Sequence, residues 1–371
     1  MSTILVTGAA GFVGSHMLPA LIDAGHGVIA LVRDDSGAER VLRRLSAGRR
    51  TAVEVRRGDV TRPDTLPEAL DGADAVLHLV AIARDWDGGA TLRLVNTEGT
   101  RAVLRAASDA GIRRFVHLGA LAVVDEPDLH YASSKAAAMA LVRDSGLDWT
   151  ILSPSLLFGP RDGFFNILAD LVRMSPGIVP ITGRGTARFQ PLAISDLARA
   201  AVQALGDDTT IGQELPLGGP RYWTYREIVE EVLRGMGKRR ALVPMPVAVI
   251  RTVAAAAEAV RVPFPVATDQ LRQLRLDNIG PLDAVRSNLG WDPLPMEGAL
   301  THLRARLADQ EPAADQEPAI DGDHAIDGGH AIDGGHAADG GHAADGGHAA
   351  DGGHAADGGH AADGGHAADG A

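Results

Sequence analysis

Cysteine is absent from the 371 residues, so the chain has no disulfide framework, no cysteine-based zinc site and no thiol nucleophile. Lysine and arginine are absent after Arg306, whereas 14 of the 48 acidic residues lie there. The remainder therefore carries 34 acidic residues against all 35 basic ones, and the net charge of −13 belongs to the tail. A nearly neutral body gives no electrostatic case for a nucleic-acid partner.

Long apolar runs are also missing. We expect no export signal, because the chain enters a strand pattern at its first residues. The most apolar long stretch, residues 247–262, contains Arg251 and Glu258 seven residues apart, on one helical face. This favours an amphipathic helix over a membrane span. We expect a cytoplasmic protein without a transmembrane segment. Packing on its own lobe is the favoured role of the helix, with peripheral membrane contact as the alternative.

The end of the chain is a repeat of His-Ala-Ala-Asp-Gly-Gly that begins after about residue 309. It has almost no large apolar side chains, so it cannot bury a core and we expect disorder over residues 309–371. The histidine spacing of six matches no compact metal site, and we assign no metal ligand. A solvating tail is the favoured interpretation, and weak, multivalent binding of zinc or nickel is the alternative.

Short apolar runs alternate with helical patterns in the first half of the chain. The runs predict strands at residues 3–7, 28–32, 52–56, 75–79, 114–118 and 150–152. Amphipathic segments such as 92–110 and 131–145 predict helices between them. Buried strands separated by helices are typical of a parallel sheet covered on both faces. The predicted fold class is α/β, with a Rossmann-type doubly wound parallel sheet.

The first predicted strand runs into a glycine-rich turn with the spacing GxxGxxG, formed by Gly8, Gly11 and Gly14. Gly8 allows a tight turn, Gly11 lets a pyrophosphate approach the backbone, and Gly14 lets the following helix pack closely. The N-terminus of that helix offers N–H groups to phosphates. A plain strand-to-helix turn is the alternative, which the position between a strand and a helix disfavours. The pattern predicts a nicotinamide-dinucleotide site.

The end of the second strand bears on which nicotinamide dinucleotide is bound. An acidic residue there would bind the ribose 2′-hydroxyl of NAD, but this sequence has Val32 followed by Arg33. A guanidinium suits the 2′-phosphate of NADP(H), which we predict, with NAD as the alternative because Asp34 comes next. Asp59, after the third strand, is either an acceptor for the adenine amino group or a turn residue before Val60.

These features resemble the short-chain dehydrogenase/reductase superfamily, in its extended or atypical branch. The first half carries the resemblance in TGAAGFVG at 7–14, HLVAIA at 78–83, VNTEGTRAVLRAA at 95–107, RRFVHLGA at 113–120 and YASSK at 131–135. Downstream, SPSLLFGPRDGFFN, RFQPLAISDLARA, TDQL and DNIG look most like the sub-branch that contains the nucleotide-binding accessory subunit of respiratory complex I. The resemblance covers nearly all of residues 1–305.

The resemblance implies a small C-terminal α/β lobe over the nicotinamide end of the cofactor. We therefore divide the chain into a dinucleotide-binding domain (1–155), the lobe (156–308) and the tail (309–371). It also implies a homodimer or membership in a larger assembly. The implied cofactor contacts are Gly8, Ala10, Gly11, Phe12, Val13, Gly14, Arg33, Asp59, Val60, Leu79, Val80, Ala81, Tyr131, Lys135 and Pro154.

Tyr131 and Lys135 are four residues apart on a predicted helix and share a face. In the superfamily the lysine favours the phenolate and binds the nicotinamide ribose, and the tyrosine exchanges a proton with a substrate oxygen. By this resemblance the chain is an oxidoreductase, or an epimerase or dehydratase, acting on an unidentified small molecule. A tyrosine that merely packs is the alternative.

A hydroxyl group is missing where the superfamily places a Ser or Thr, because none lies between Ile112 and His130. The stretch from Gly119 to Ala122 occupies that place, and Ser134 is either a partial substitute or a packed helix residue. Loss of an oxyanion donor typically costs about 10²–10³ in rate, which weakens catalysis without forbidding it. The second hypothesis is therefore a nucleotide-binding protein with a structural, assembly or redox-sensing role.

Six polar residues of the predicted lobe are candidates for facing the cleft. A solvated loop position is the more common alternative for any one of them. They are Arg161, Asp162, Asn166, Arg184, Arg188 and Gln190.

Overall fold

A computed structural model describes residues 1–83, 87–124, 126, 129–175, 177–246 and 277–304, which all belong to one compact unit, Met1–Pro318. The helix predicted at residues 247–262 and the repeat tail lie outside the described residues. Within the described ranges, no helix combines the length and the hydropathy that crossing a membrane requires.

Strands and helices alternate along the chain. The strands are β1 (Thr3–Thr7), β2 (Gly27–Val32), β3 (Val53–Arg57), β4 (Ala75–His78), β5 (Arg114–Leu118), β6 (Asp148–Pro154), β7 (Leu157–Phe158), β8 (Ile178–Thr182), β9 (Arg188–Phe189), β10 (Leu192–Ala193), β11 (Gln213–Leu217), β12 (Trp223–Thr224) and β13 (Ala241–Met245). The α-helices are α1 (Gly14–Asp23), α2 (Asp35–Arg44), α3 (Ala47–Arg50), α4 (Leu66–Leu70), α5 (Ala90–Leu92), α6 (Gly99–Asp109), α7 (His130–Arg143), α8 (Phe164–Met174), α9 (Ile194–Gly206), α10 (Tyr225–Gly235) and α11 (Ala284–Leu289).

The main sheet has seven parallel strands in the order β11-β6-β5-β4-β1-β2-β3. The order reverses at β1, which pairs with β2 on one side and with β4 on the other. In an open parallel sheet, a crevice for ligands forms at such a reversal, beyond the carboxyl ends of the strands. The predicted Rossmann-type sheet is confirmed, and each of the six predicted strands agrees with the structure to within two residues at either end.

Alternate side chains of the strands face opposite layers of helices. Ile4 and Val6 of β1 belong to the core under α1, α2 and α9, which also contains Leu18. Leu5, between them, belongs to the core under α4, α6 and α7, with Met139. Burying each such side chain contributes about 1.5–3 kcal/mol, so the two cores fix the register of the sheet.

The second half of the chain both completes the main sheet and forms a separate core. Strand β11 pairs with β6 at the edge of the sheet, and α9 packs against α1. A third core gathers side chains of α8, α10 and the 3₁₀ segment Ala299–Arg304, with Phe165, Ile228 and Leu300 at its centre. The division of the chain at residue 155 stays a prediction.

Candidate functional site

The glycine-rich turn follows β1 at the reversal of strand order. Gly8 has a φ of +69°, and a Cβ there would lie 3.1 Å from the backbone nitrogen of Val80. A Cβ at Gly14 would lie 2.4 Å from the carbonyl oxygen of Gly8, closer than real side chains come. Gly11 closes the turn by donating its N–H to the Gly8 carbonyl oxygen at 3.0 Å. The backbone of the turn therefore requires glycine at positions 8 and 14.

The N-terminal end of α1 offers unused hydrogen-bond donors. In the described part of the chain, no acceptor lies within bonding distance of the N–H groups of Phe12, Val13 and Gly14. The next N–H group, that of Ser15, already donates to the Gly11 carbonyl oxygen at 3.1 Å. Free N–H groups at the positive end of a helix dipole form a binding site for phosphate.

Arg33 and Asp34 follow β2, and their side chains have different surroundings. Arg33 is exposed at the carboxyl end of the strand, beyond the buried Val32. Asp34 instead caps α2, because its Oδ1 accepts hydrogen bonds from the Gly37 N–H at 2.7 Å and the Ser36 hydroxyl at 2.8 Å. The bond from Gly37 is the main cause that lowers the pKa of Asp34. One oxygen of this carboxylate therefore caps α2.

Asp59 lies in the turn that follows β3. Its Oδ1 accepts hydrogen bonds from both the N–H and the hydroxyl of Thr61, each at 2.8 Å. Val60 is buried against Gly99, where a Cβ would come within 2.8 Å of the valine side chain. These contacts agree with the turn interpretation of Asp59, and its contact with adenine stays a prediction.

The segment after β4 borders the glycine-rich turn. Leu79 is buried and donates its N–H to Thr7 Oγ1 at 3.1 Å. A Cβ at Gly8 would meet the backbone of Leu79 at 3.2 Å, and Val80 and Ala81 follow in a half-buried position. The predicted contact residues of the first and fourth strands are thus adjacent in the structure.

His78 is fully buried in a chain of hydrogen bonds that has one consistent direction. Thr100 Oγ1 donates to the Asn96 carbonyl oxygen at 2.7 Å, so it accepts from His78 Nε2 at 3.0 Å. His78 Nδ1 then accepts from Thr7 Oγ1 at 2.7 Å, which assigns a neutral imidazole with its proton on Nε2. Burial lowers the pKa of His78 to about 3, with the charge of Lys135 as the second cause.

Tyr131 and Lys135 lie one turn apart near the start of α7. Lys135 is only 2% exposed and donates from Nζ to the Leu118 carbonyl oxygen at 2.5 Å, at the carboxyl end of β5. Burial lowers the pKa of Lys135 to about 8. Tyr131 is half-buried. An ammonium held on the same helix face favours the ionised form of a neighbouring phenol.

Close packing leaves no space for a side chain at Gly119, the first residue after β5. A Cβ at Gly119 would lie 2.8 Å from Ile151 Cγ2 and 2.9 Å from Ser153 Oγ. Ser134 is buried, donates to the Tyr131 carbonyl oxygen at 2.8 Å and accepts from Asn96 Nδ2 at 3.0 Å. Ser134 therefore connects two helices.

Asn96 is a positioning residue. The sequence indicates it only as a member of the motif at 95–107. It lies in a π-helical turn, Arg93–Glu98, between α5 and α6. Its Oδ1 accepts from the Ile82 N–H at 2.8 Å, and its Nδ2 donates to the Ile82 carbonyl oxygen at 3.0 Å. The amide thus fixes the segment after β4 and, through Ser134, the start of α7. A π-turn with a buried amide marks a functional position more often than a regular helix does.

Pro154 ends β6 and contacts a segment from the second half of the chain. Its carbonyl oxygen accepts from the Leu121 N–H at 2.9 Å. Asn278 Nδ2 donates to the Leu121 carbonyl oxygen at 2.7 Å, and the Asn278 carbonyl oxygen accepts from Ser155 Oγ at 2.9 Å. The DNIG motif therefore adjoins the predicted nicotinamide end of the crevice.

Most of the polar candidates in the second half maintain the fold. Asp162 is 1% exposed and accepts from the Phe165 N–H at 2.6 Å, and burial raises its pKa. Gln190 is fully buried and bridges the Gly219 carbonyl oxygen and the Gly280 N–H at 2.9 Å each. Asn166 donates to the Asp162 carbonyl oxygen, and Arg188 pairs with Asp277. Arg184 is exposed. Among the described residues, no three His, Asp or Glu side chains converge as metal ligands.

Two arginines do reach the glycine-rich turn. Arg161 Nη2 donates to Ser15 Oγ at 3.0 Å. Arg44 Nη1 donates to the Ala10 carbonyl oxygen at 2.7 Å and lies 3.4 Å from that of Gly11. From the sequence, Arg161 is a candidate only as a loop residue, and Arg44 is not a candidate. Arg44 lies one helical turn after Arg40 on α2, but this spacing alone does not indicate what the side chain contacts.

Comparison with known proteins identifies the family of the chain. A profile of the NAD(P)H-binding family matches residues 8–170, which include the glycine-rich turn and α7. Photosystem II assembly factor Ycf39 of Synechocystis sp. is 30% identical over 67% of this chain and 72% of its own length. The ceramide reductase of Caulobacter vibrioides is 30% identical over 69% of this chain and 77% of its own length.

Subunit 9 of the mitochondrial NADH dehydrogenase 1 alpha subcomplex of Arabidopsis thaliana is 26% identical over 75% of this chain and 68% of its own length. The chain therefore belongs to the NAD(P)-binding short-chain dehydrogenase/reductase superfamily, in its extended or atypical branch. The resemblance to the complex I accessory subunit is also confirmed.

Proposed function

We propose that the protein is an NADP(H)-dependent oxidoreductase of small molecules in which Tyr131 is the acid/base and Lys135 binds the nicotinamide ribose. The observation that carries this proposal is the burial of Lys135 on the same helix face as Tyr131, at the carboxyl end of β5. Burying an ammonium is unfavourable unless a ligand or a reaction uses it. When bound over the glycine-rich turn, NADP(H) supplies or accepts a hydride.

Proton transfer falls to Tyr131. With a pKa of about 8, Lys135 keeps its charge near neutral pH and draws the phenol toward ionisation. The Tyr131 hydroxyl donates its proton to a carbonyl oxygen in reduction and recovers it from a hydroxyl group in oxidation. Because Gly119 carries no hydroxyl, Tyr131 alone polarises the substrate oxygen, so we expect a rate about 10²–10³ below that of an enzyme with both donors.

The choice of NADP(H) over NAD(H) follows from the end of β2. Asp34 is committed to capping α2, whereas Arg33 is exposed at the strand end and Arg40 follows on α2. Guanidinium groups bind a phosphate and have no comparable partner in a ribose 2′-hydroxyl. We expect Arg33→Ala to weaken NADPH by roughly tenfold and to leave NADH unchanged, as measured by calorimetry.

Turnover is tested with the full chain, NADPH and a panel of aldehydes and ketones. Tyr131→Phe should lower kcat by roughly 10² or more, while the Kd for NADPH stays within about twofold. Tyr222→Phe is the matched control, because it removes a phenol that donates to the Gly280 carbonyl oxygen and leaves the Tyr131–Lys135 pair intact. Equal turnover by Tyr131→Phe and the unchanged protein would refute the catalytic role.

A nucleotide-binding role without turnover is the second candidate. The packing around Gly119 favours it, because this packing excludes a hydroxyl-bearing side chain at that position. Two of the similar proteins are named as an assembly factor and as a subunit of NADH dehydrogenase, which also supports a role within an assembly. Tight NADPH binding without oxidation by any carbonyl compound, with no effect of Tyr131→Phe, is the result expected for this role.

A further inference from the structure

Arg161 has a strained backbone and a partly buried charge. Its φ is +69°, in the left-handed region that side chains other than glycine and asparagine rarely adopt. Its guanidinium lies 3.0 Å from Ser15 Oγ, while its Nε is buried without a hydrogen-bond partner in the described residues. Such strain persists where a side chain is held in place for a purpose.

Arg44 approaches the same end of α1 from another element. Burial is the main cause that lowers the pKa of Arg44 to about 10, and the charge of Arg161 is the second cause. His16 lies beside them, donates from Nε2 to the Pro160 carbonyl oxygen at 3.0 Å, and has its pKa lowered by burial and by both arginines. Two guanidinium groups therefore converge on the first turn of α1.

The carboxylates of Asp162, next to Arg161, of Asp23 at the end of α1 and of Asp34 before α2 have other partners. Asp162 faces the start of α8, Asp23 pairs with Arg49 at 2.7 Å, and Asp34 caps α2. Across the described ranges, Arg161 has no carboxylate within ion-pair distance. A partly buried guanidinium without a carboxylate partner is unfavourable, so the surroundings of Arg161 suit an anionic ligand.

We propose that Arg161 and Arg44 bind the pyrophosphate of the dinucleotide from the two sides of the glycine-rich turn. The unused N–H groups of Phe12, Val13 and Gly14 lie at the same helix end and give the phosphate oxygens their other partners. The inference deepens the proposed function and rests on its nucleotide binding, but not on turnover or on the preference for NADP(H). It makes the loop at Arg161 part of the cofactor site.

The test compares full-chain Arg161→Asn and Arg44→Gln with the unchanged protein. Asparagine tolerates the left-handed backbone, so Arg161→Asn removes the charge without new strain. NADPH, NADH and ADP-ribose share the pyrophosphate, and calorimetry should show each of them weakened by roughly tenfold or more. Adenosine 2′-phosphate has no pyrophosphate, so its own Kd for each variant should stay within about twofold of its Kd for the unchanged protein.

Three controls separate a ligand contact from a structural contact. Ser15→Ala removes the hydrogen bond to Arg161 but keeps the charge, so it should weaken NADH far less than Arg161→Asn does. Arg113→Gln removes an exposed arginine that pairs with Asp148 before β5, at the amino ends of the strands, and should leave nucleotide affinity unchanged. Thermal unfolding without nucleotide identifies a variant that has lost its fold. If Arg161→Asn is such a variant, the nucleotide affinity of Arg44→Gln, whose side chain is on α2, is the test.

Unchanged NADH and ADP-ribose affinity in both arginine variants would overturn the inference, and so would an equal loss from Ser15→Ala. The proposed function fails by different results. Equal effects of Arg33→Ala on NADPH and NADH would remove the preference for NADP(H), and a fully active Tyr131→Phe would remove the catalytic role. Neither of these results changes the expected loss for Arg161→Asn.

Discussion

His117 stacks on His78 across β4 and β5, with ring centroids 5.4 Å apart and ring planes 22° apart. Both rings are buried, and neither nitrogen of His117 has a hydrogen-bond partner in the described part of the chain. Burial is the main cause that lowers the pKa of both histidines, and the charge of Lys135 is the second. Both imidazoles are therefore neutral, and they lie beside the Lys135 ammonium group of the proposed mechanism.

The histidine pair predicts a loss of stability in mild acid. An unfolded histidine has a pKa of about 6.5, whereas that of folded His78 is about 3. Between these values the unfolded chain binds more protons, so the histidine contribution to the free energy of unfolding is fully present above about pH 7.5 and falls as the pH drops through 6.5. The two histidines together should cost about 2 kcal/mol between pH 6.5 and 5.5 in urea unfolding.

His117→Phe tests the origin of that loss. Phenylalanine keeps the stacking and cannot be protonated, so this variant should lose about half as much stability as the unchanged protein over the same pH range. His366→Phe, at the last histidine of the repeat, is the matched control and should leave the pH dependence unchanged. If His117→Phe retains the full pH dependence, the histidine pair is not its cause.

Lys135→Met should stabilise the protein without nucleotide. The pKa of Lys135 falls from 10.5 to about 8 on folding, so burial of its charge opposes folding at neutral pH. Methionine has a similar length and no charge, and we expect the free energy of unfolding at pH 7 to rise by about 1–3 kcal/mol. NADPH affinity should fall in the same variant. A less stable variant would show that the bond to the Leu118 carbonyl oxygen outweighs the burial of charge.

The pH dependence of the unchanged protein gives a second measure of the same effect. Between pH 8 and 10.5 the unfolded chain holds a proton on Lys135 that the folded chain has lost. Stability should therefore rise with pH in this window, and the rise should be absent in Lys135→Met. Urea unfolding at pH 8 and 9.5 measures the difference.

Local patterns predicted the first six strands of the main sheet, but not its seventh. Strand β11 contains Glu214 and Pro216, so it lacks the apolar run that identifies a buried strand. Its edge position tolerates proline, and Glu214 is neutralised by Arg143 at 2.6 Å. Pairing with β6 therefore decides this strand, and no local sequence window contains that information.

The residues of the candidate site also fall into two groups, those that local sequence predicts and those that tertiary packing determines. The turn glycines Gly8 and Gly14 could be predicted because their roles follow from position along one strand–turn–helix unit, and the role of Arg33 stays a prediction. Arg44 could not be assigned, because its contact with Ala10 depends on how α2 packs against the glycine-rich turn. Asp162 and Gln190 lie in loops as expected, but they are buried and not solvated, because buried backbone groups require partners that composition does not reveal.

Gly14→Ala should disrupt the glycine-rich turn. The added methyl group would lie 2.4 Å from the Gly8 carbonyl oxygen and 2.6 Å from that of Ala9, and neither backbone atom is free to move alone. We expect a loss of about 1–3 kcal/mol in urea unfolding and a fall in NADPH affinity.

Gly48→Ala is the matched control for this variant, because α3 leaves nothing within 4 Å of a new Cβ. It should stabilise the protein by about 0.5–1 kcal/mol through the entropy of the unfolded chain. Equal stability of the two variants would mean that the turn relaxes more easily than its contacts imply.

Asp34 decides whether the chain retains any feature of an NAD site. If its carboxylate serves only to cap α2, Asp34→Ser should keep the cap, because serine accepts the same bond from the Gly37 N–H. Asp34→Ala should lose the cap and about 0.5–2 kcal/mol of stability in urea unfolding. Calorimetry should find the Kd for NADH unchanged in Asp34→Ser. A tenfold weaker Kd for NADH in a stable Asp34→Ser would instead place this carboxylate on the ribose 2′-hydroxyl, and NAD would then be the natural cofactor.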